Sequence, residues 1–253
     1  IFAASLKTIM ARTDGISRTL RAPGQFELLN VTPDGDCFYN AVDKLLPESP
    51  RPPALESAVT MREMVADSLT EEIVDLYRMC ASAGVEDFAW LNHHRAPMTL
   101  DEVRAFARKR GSEEGAGKCL WADEHAMRTV ASTADAVLLL IDEQAPSSGS
   151  RSGRRRGDDA RGEDSRFVML GDIEPSAQDS LDGALTSPAR CLILHRSRRQ
   201  HFSPVRHRGR GLIDVMALPE ATRALWPRLR TLTCTAASPP AAAEEQNKRQ
   251  RGR

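Results

Sequence analysis

Hydrophobic positions change their spacing along the chain, from a helical period in the first half to short continuous runs in the second half. Residues 38–46 repeat at helical spacing, and Pro47 ends that run. Residues 54–82 carry a second apolar stripe, which predicts one long helix or two short ones. A third amphipathic stretch covers residues 126–134. The first half is therefore predicted to be helical.

A capping box predicts a further helix between these regions. Thr99 offers a hydroxyl at the N-cap, and Glu102 follows three residues later. The predicted helix extends to about Lys109, and Gly111 is its expected stop.

Three compact apolar runs follow the helical half, at residues 136–141, 166–170 and 191–194. Runs of this length, bounded by Asp, Gly and Pro, are typical of strands buried on both faces. Helices first and a sheet afterwards predict an α+β domain.

Three segments are predicted to be poorly ordered. Residues 1–24 have weak periodicity, residues 145–165 have almost no apolar side chain, and residues 236–253 form a Pro/Ala-rich tail with a basic end. The chain is therefore predicted to hold one domain at residues 25–235, with residues 145–165 as a polar insertion.

Composition limits the classes of function. The 253 residues are 41% hydrophobic and carry 35 basic and 35 acidic side chains, so no net charge attracts nucleic acid or membrane. No apolar run is long enough to span a bilayer. Five widely spaced cysteines without a C-x-x-C pair argue against a disulfide framework or a zinc site and favour a reducing compartment. We expect a cytoplasmic protein, and the basic tail leaves a nuclear location open.

Cys37 is the candidate nucleophile. The turn at residues 33–36 leads directly into the first predicted helix, so Cys37 stands at the start of that helix. Unpaired N–H groups there are expected to lower the pKa of a thiol, and Gly35 permits a tight backbone path around a developing oxyanion. The alternative is a small buried core residue, which is the usual role of a lone cysteine.

His201 is the candidate base among six histidines. It follows the 191–194 run after a short basic turn. A cysteine nucleophile usually needs an imidazole brought from a distant part of the chain.

Three blocks carry a resemblance to a known family: DGDCFYNAV from Asp34, WADEHAMRTVASTADAVLLLID from Trp121, and RCLILHRSRRQHFSPV from Arg190. In order and spacing they resemble the ovarian-tumour (OTU) family of cysteine proteases, over about residues 28–206. The resemblance implies a papain-like OTU fold with a small central β-sheet flanked by helices. It also implies a thiol-dependent, ubiquitin-specific peptidase activity.

The resemblance also implies roles for individual residues. Cys37 would be the nucleophile and His201 the general base, while the backbone around Asp34, Gly35 and Asp36 would line the oxyanion site. Trp121 and Glu124 match the middle block as scaffold.

The residue that orients the imidazole is left open. Many family members have Asp or Asn two residues after the histidine, where this chain has Ser203. A serine can accept a hydrogen bond but offers no charge. Asp34 is the preferred orienter, and Ser203 is the alternative.

The implied substrate is the bond after the C-terminus of ubiquitin or a ubiquitin-like modifier, cleaved by a monomer without metal or organic cofactor. The helical region at 54–110 is the expected ubiquitin-binding surface. Two alternatives stay open: a catalytically weak ubiquitin-binding module, favoured by Ser203, and a polyprotein-processing protease, suggested by the start at Ile1. Nucleic-acid binding through the basic runs is disfavoured, because few aromatic residues accompany them.

Overall fold

A mixed β-sheet lies between two groups of helices. The computed structural model describes residues 14–47, 51–85, 88, 90–91, 97–115, 118–143, 165–171, 190–197 and 201–229. Within them, helices dominate the first half and strands the second, as the hydrophobic pattern predicted. The α+β class with a small central sheet flanked by helices is confirmed.

Seven of the described helices precede most of the sheet and one follows it. They are α1 (residues 14–19), α2 (Cys37–Leu45), α3 (Ala58–Ser68), α4 (Glu71–Ser82), α5 (Leu100–Arg108), α6 (Gly111–Glu114), α7 (Glu124–Thr133) and α8 (Glu220–Arg223). The stripe at 54–82 is thus two helices, α3 and α4. Thr99 caps α5 through the predicted box with Glu102. Within the described residues, none of the helices combines the length and apolar character that crossing a bilayer requires.

The strands form one sheet. They are β1 (Phe26–Leu28), β2 (Val137–Glu143), β3 (Ser165–Leu170), β4 (Arg190–Ser197), β5 (His201–His207) and β6 (Leu212–Asp214). The order is β1-β5-β4-β2-β3, and β6 pairs with β4 beside this path. Only β2 and β4 run parallel among these pairs; the others are antiparallel.

Both faces of the sheet are covered, which explains why the central strands are apolar at consecutive positions. Leu138 and Leu140 point into a first core, shared with α2, α3 and α7. Val137, Leu139 and Ile141 point into a second core, shared with α1, β1 and the end of the described chain. A third cluster joins α4 and α5 away from the sheet.

Part of the N-terminal segment was wrongly predicted to be poorly ordered. Residues 14–19 form α1, and Leu20 is fully buried in the second core. A helix this short shows too few apolar repeats for a periodic pattern. Residues 1–13, most of the predicted insertion (145–164) and the tail at 236–253 lie outside the described residues.

Candidate active site

Cys37 is the first residue of α2, as the turn before it predicted. Gly35 adopts a φ of +91°, a conformation that glycine accepts without strain. The Asp36 N–H donates to Oδ1 of Asp34 at 2.9 Å, which closes the turn just before the helix. The backbone N–H groups of Cys37 and Phe38 interact with the Cys37 sulfur and act to lower its pKa. The thiol therefore lies over the open end of its own helix.

The start of β5 meets this end of α2. The backbone N–H of Phe202 donates to the Cys37 sulfur, and the rings of Phe38 and Phe202 meet edge-to-face with centroids 5.3 Å apart. His201 directly precedes Phe202. The fold thus places His201 next to the residue whose N–H donates a hydrogen bond to the Cys37 sulfur. In sequence, His201 and Cys37 are 164 positions apart.

The Cys37 thiol is more protected than the sequence suggested. The residue is 5% exposed, and this burial raises the pKa of its thiol above the usual value. The N–H groups of Phe202, Phe38 and Cys37 act in the opposite direction, while the negative charge of Asp34 adds to the increase. The expectation of a lowered pKa was wrong, because burial outweighs the helix start. The resting group is a thiol that needs a base.

Alkylation should reveal this raised pKa. The thiolate fraction grows tenfold per pH unit below the pKa, so the rate of Cys37 carbamidomethylation by iodoacetamide should still be increasing at pH 9. Mass spectrometry of the Cys37 peptide at each pH measures the rate, with glutathione as the reference thiol. A rate that is constant from pH 6 to 9 would instead reveal a preformed thiolate.

Asp36 faces away from the nucleophile and into the protein. Its carboxylate is fully buried and contacts Nε of Arg62 at 2.6 Å. It also accepts hydrogen bonds from the N–H groups of Gly111 and Ser112 and from the Ser112 hydroxyl. Burial alone would raise the pKa of Asp36, but the Arg62 charge and the Ser112 bonds outweigh burial, and the net pKa is lowered. Only the backbone of Asp36 remains available for oxyanion chemistry.

Arg62 is the centre of this network, and no sequence pattern predicted its role. It is fully buried, donates to the carbonyls of Gly35, Ala107 and Leu120, and stacks over the Tyr39 ring with its guanidinium carbon 4.6 Å from the ring centre. Its bond to Gly35, at 2.9 Å, fixes the carbonyl of the nucleophile loop. Arg62 is thus the residue of α3 that holds the Cys37 loop in place.

Gly111 supports the same loop from the opposite side. It was predicted to end the capped helix, but α5 ends at Arg108 and Gly111 begins α6. A Cβ at this position would lie 1.9 Å from the Asp34 carbonyl oxygen. The glycine is there because the nucleophile loop passes directly against its backbone.

The two candidate orienters occupy different places. Asp34 lies close enough to Cys37 for its charge to act on the thiol, and its carboxylate accepts from Asp36 in the turn. Ser203 is 1% exposed and stands two residues after His201 on β5. Alternation along a strand gives Ser203 and His201 the same face, as the sequence predicted.

Comparisons with known proteins give structural neighbours only. No family model matches the chain, and no curated protein matches its sequence. An ovarian-tumour (OTU) domain in complex with ubiquitin is similar at 9% identity and a TM-score of 0.41, over 81% of this chain and 84% of that one. An OTU deubiquitinase from Wolbachia pipientis wMel bound to ubiquitin has 13% identity and a TM-score of 0.40, over 74% and 98%. The Hazara virus OTU bound to ubiquitin has 14% identity and a TM-score of 0.33, over 75% and 82%.

The other cysteines and acidic groups that the structure describes form neither a metal site nor a disulfide. Among the described residues, no cluster of three His, Cys, Asp or Glu side chains could hold a metal ion. None of the four described cysteines, Cys37, Cys80, Cys119 and Cys191, is in a disulfide. Cys119 is buried with its sulfur 3.9 Å from the Gly35 carbonyl oxygen, so it belongs to the packing beneath the nucleophile loop.

Proposed function

We propose that this protein is an OTU-type cysteine protease that cleaves the isopeptide or peptide bond after the C-terminus of ubiquitin or a ubiquitin-like modifier. One observation carries the proposal: the sulfur of Cys37, at the start of α2, accepts a hydrogen bond from the N–H of Phe202, the residue next to His201. The substrate class rests on the three sequence blocks that resemble the OTU family. The proposed enzyme is a monomer. It needs no metal or organic cofactor, because acyl transfer through a thiol requires neither of them.

The first half of the reaction transfers the acyl group to the enzyme. His201 accepts the thiol proton as the sulfur attacks the carbonyl carbon, which forms a tetrahedral oxyanion. The imidazolium then protonates the leaving lysine amine, and the C–N bond breaks to leave a thioester on Cys37. In the second half, His201 takes a proton from water as the water oxygen attacks the thioester carbonyl. The C–S bond then breaks to release the carboxyl group of the modifier, and the Cys37 sulfur recovers a proton from His201.

The proposed oxyanion site is the backbone around Asp34, Gly35 and Asp36. In the resting structure the Asp36 N–H is already bonded to the Asp34 carboxylate. This donor becomes available for the oxyanion when the carboxylate turns away from it. Asp34, the proposed orienter, would then be released to bond with the imidazolium of His201. Arg62 and Gly111 keep the loop backbone fixed while that side chain moves.

Ubiquitin cleavage by the purified protein tests the proposal. We expect release of free ubiquitin from at least one member of a panel of diubiquitin linkages and of related modifiers, followed by gel electrophoresis. A ubiquitin probe with a C-terminal electrophile should form a covalent adduct at Cys37, located by peptide mass spectrometry. Absence of both cleavage and adduct across the panel would overturn the proposal.

A catalytically weak ubiquitin-binding module is the second candidate. The 5% exposure of Cys37 and the neutral Ser203 favour it. Such a module would bind ubiquitin in a titration experiment and leave the electrophilic probe unreacted. The proposed enzyme would bind ubiquitin and also react with the probe, so one sample distinguishes the two functions.

Substitutions at Asp34 and Ser203 should identify the orienter. We expect Asp34→Ala to lower kcat/KM by about 100-fold and Ser203→Ala by about tenfold, because the former removes both a charge and the bond that closes the turn. Asp34→Asn is the matched control, since it keeps an acceptor for the Asp36 N–H and loses only the charge. Steady-state kinetics on a fluorogenic ubiquitin amide measure all three variants. A larger effect at Ser203 would assign the role to the strand.

A further inference from the structure

A row of three paired residues crosses the sheet beside Cys37. The β4–β5 register pairs Arg196 with Phe202, and the β2–β4 register pairs Asp142 with Arg196. Residues paired across neighbouring strands share a face of the sheet. The Phe202 ring lies in the first core, which also contains Cys37. Arg196 and Asp142 therefore lie on the same side of the sheet as the candidate nucleophile.

Two charged residues interrupt an apolar pattern on this face. On β2, Leu140 of the first core comes two residues before Asp142. On β4, Leu194 of the same core comes two residues before Arg196. Asp142 is 6% exposed, and a buried carboxylate needs a partner. Because apolar residues can often replace a buried ion pair without loss of stability, stability alone does not explain this one.

Asp142 holds the Arg196 guanidinium with two hydrogen bonds. Nε of Arg196 donates to Oδ1 at 3.0 Å, and Nη2 donates to Oδ2 at 2.9 Å. A two-point contact of this kind fixes the orientation of the guanidinium plane as well as its position. The guanidinium carbon lies 5.9 Å from the centre of the Phe202 ring, within the range of a cation–π contact. Arg196 thus contacts the ring from a fixed anchor.

The Phe202 ring links this ion pair to the thiol. Two aromatic contacts hold the ring, one from the Arg196 guanidinium and one from the edge-to-face ring of Phe38. Because the ring and the backbone N–H belong to one residue, the position of the ring constrains the direction of the N–H. This N–H donates to the Cys37 sulfur and opposes the increase that burial causes in the pKa of the thiol.

We propose that Arg196, anchored by Asp142, is a positioning residue that acts on Cys37 through the ring and the backbone N–H of Phe202. The inference rests on the proposed protease function for its effect on turnover. Arg196 keeps the N–H donor aimed at the sulfur while the thiol gives up its proton. The next residue along β4, Ser197, pairs with His201, so the same ion pair also fixes the start of the strand that carries the proposed base.

Alkylation of Cys37 in a double-mutant cycle tests the proposal without a substrate. Arg196→Met should slow carbamidomethylation by iodoacetamide at about pH 8 by about fivefold, because a weaker N–H donor raises the thiol pKa and lowers the thiolate fraction. Phe202→Leu removes the ring that transmits the effect, so in that background Arg196→Met should change the rate less than about twofold. Mass spectrometry of the Cys37 peptide measures the four rates. On a fluorogenic ubiquitin amide, kcat should follow the same pattern with little change in KM.

Arg190→Met is the matched control. Arg190 begins β4 at the opposite end and pairs with Asp135 at the surface, 2.8 Å away, so the Cys37 alkylation rate and kcat should stay near their wild-type values. If Arg196→Met does not fold, the cycle is run in an Asp142→Asn chain, in which no carboxylate is left buried alone.

The outcomes separate the positioning role from the proposed function. Equal losses from Arg196→Met in both backgrounds, or an alkylation rate that does not fall, would overturn the inference and leave Arg196 a packing residue. A chain whose alkylation rates follow the cycle, but whose wild type never cuts ubiquitin, would support the role of Arg196 and contradict the proposed function.

Discussion

Cys37→Ala and His201→Ala should each lower kcat/KM for ubiquitin amide hydrolysis by about 10⁴-fold or more, because one removes the atom that attacks and the other the group that accepts its proton. Cys37 belongs to the first core but has a small side chain, and His201 is only partly buried. We therefore expect each variant to keep its cooperative unfolding transition, with a loss of about 1 kcal/mol for the buried cysteine. Single-turnover kinetics and thermal unfolding measure the two quantities.

Two controls match these variants in burial and residue type. Cys191→Ala removes a fully buried thiol in the second core, and His125→Ala removes an imidazole bonded to Ser68 on α3. Both should cost stability and leave kcat near the wild-type value. If Cys37→Ala retained activity like Cys191→Ala, Cys37 would be a packing residue.

Arg62→Met should give the largest loss of stability, about 3–5 kcal/mol, because it removes the nearest cation from the buried Asp36 carboxylate and leaves only Arg110, whose Nε is 3.6 Å away. Arg108→Met is the matched control, since Arg108 pairs with Asp67 at the surface, where an ion pair contributes about 1 kcal/mol or less. Urea unfolding at neutral pH measures both. A loss at Arg62 as small as that at Arg108 would contradict the structural role of the network.

The pH dependence of this loss has a definite sign. In the wild type the pKa of Asp36 is lowered, so its contribution to stability is present above the unfolded-state pKa of about 3.9 and is lost as pH falls through the folded-state value. Without Arg62, two of the influences that lower this pKa are lost, so the pKa of Asp36 should be higher in the variant than in the wild type. The variant then gains stability relative to the wild type as pH falls toward 4. The difference between the two unfolding free energies should therefore narrow in acid.

Local sequence patterns were sufficient to predict the elements whose structure depends on residues that are close in sequence. The turn before Cys37, the helix after it and the capping box at Thr99 depend on neighbours in sequence, and all three are present. The central strands were also recognisable, because a strand covered on both faces has a continuous apolar run.

The residues that surround the site could not be found in the same way. Arg62 lies beside the apolar stripe of α3, where a charged side chain normally faces water, and only the folded chain shows that Asp36 meets it. Phe202 lies beside the Cys37 sulfur only because β5 packs against α2. Such contacts are set by long-range packing, which no local pattern of residues reports.

The long separation in sequence between Cys37 and β5 affects when the proposed active site can form during synthesis. The thiol belongs to the first sixth of the 253 residues, while the strand that donates a hydrogen bond to it starts at position 201. β1, just before the nucleophile turn, also pairs with β5. Until β5 has left the ribosome and joined the sheet, the Cys37 thiol of a nascent chain therefore lacks the Phe202 hydrogen bond on which the proposed chemistry depends.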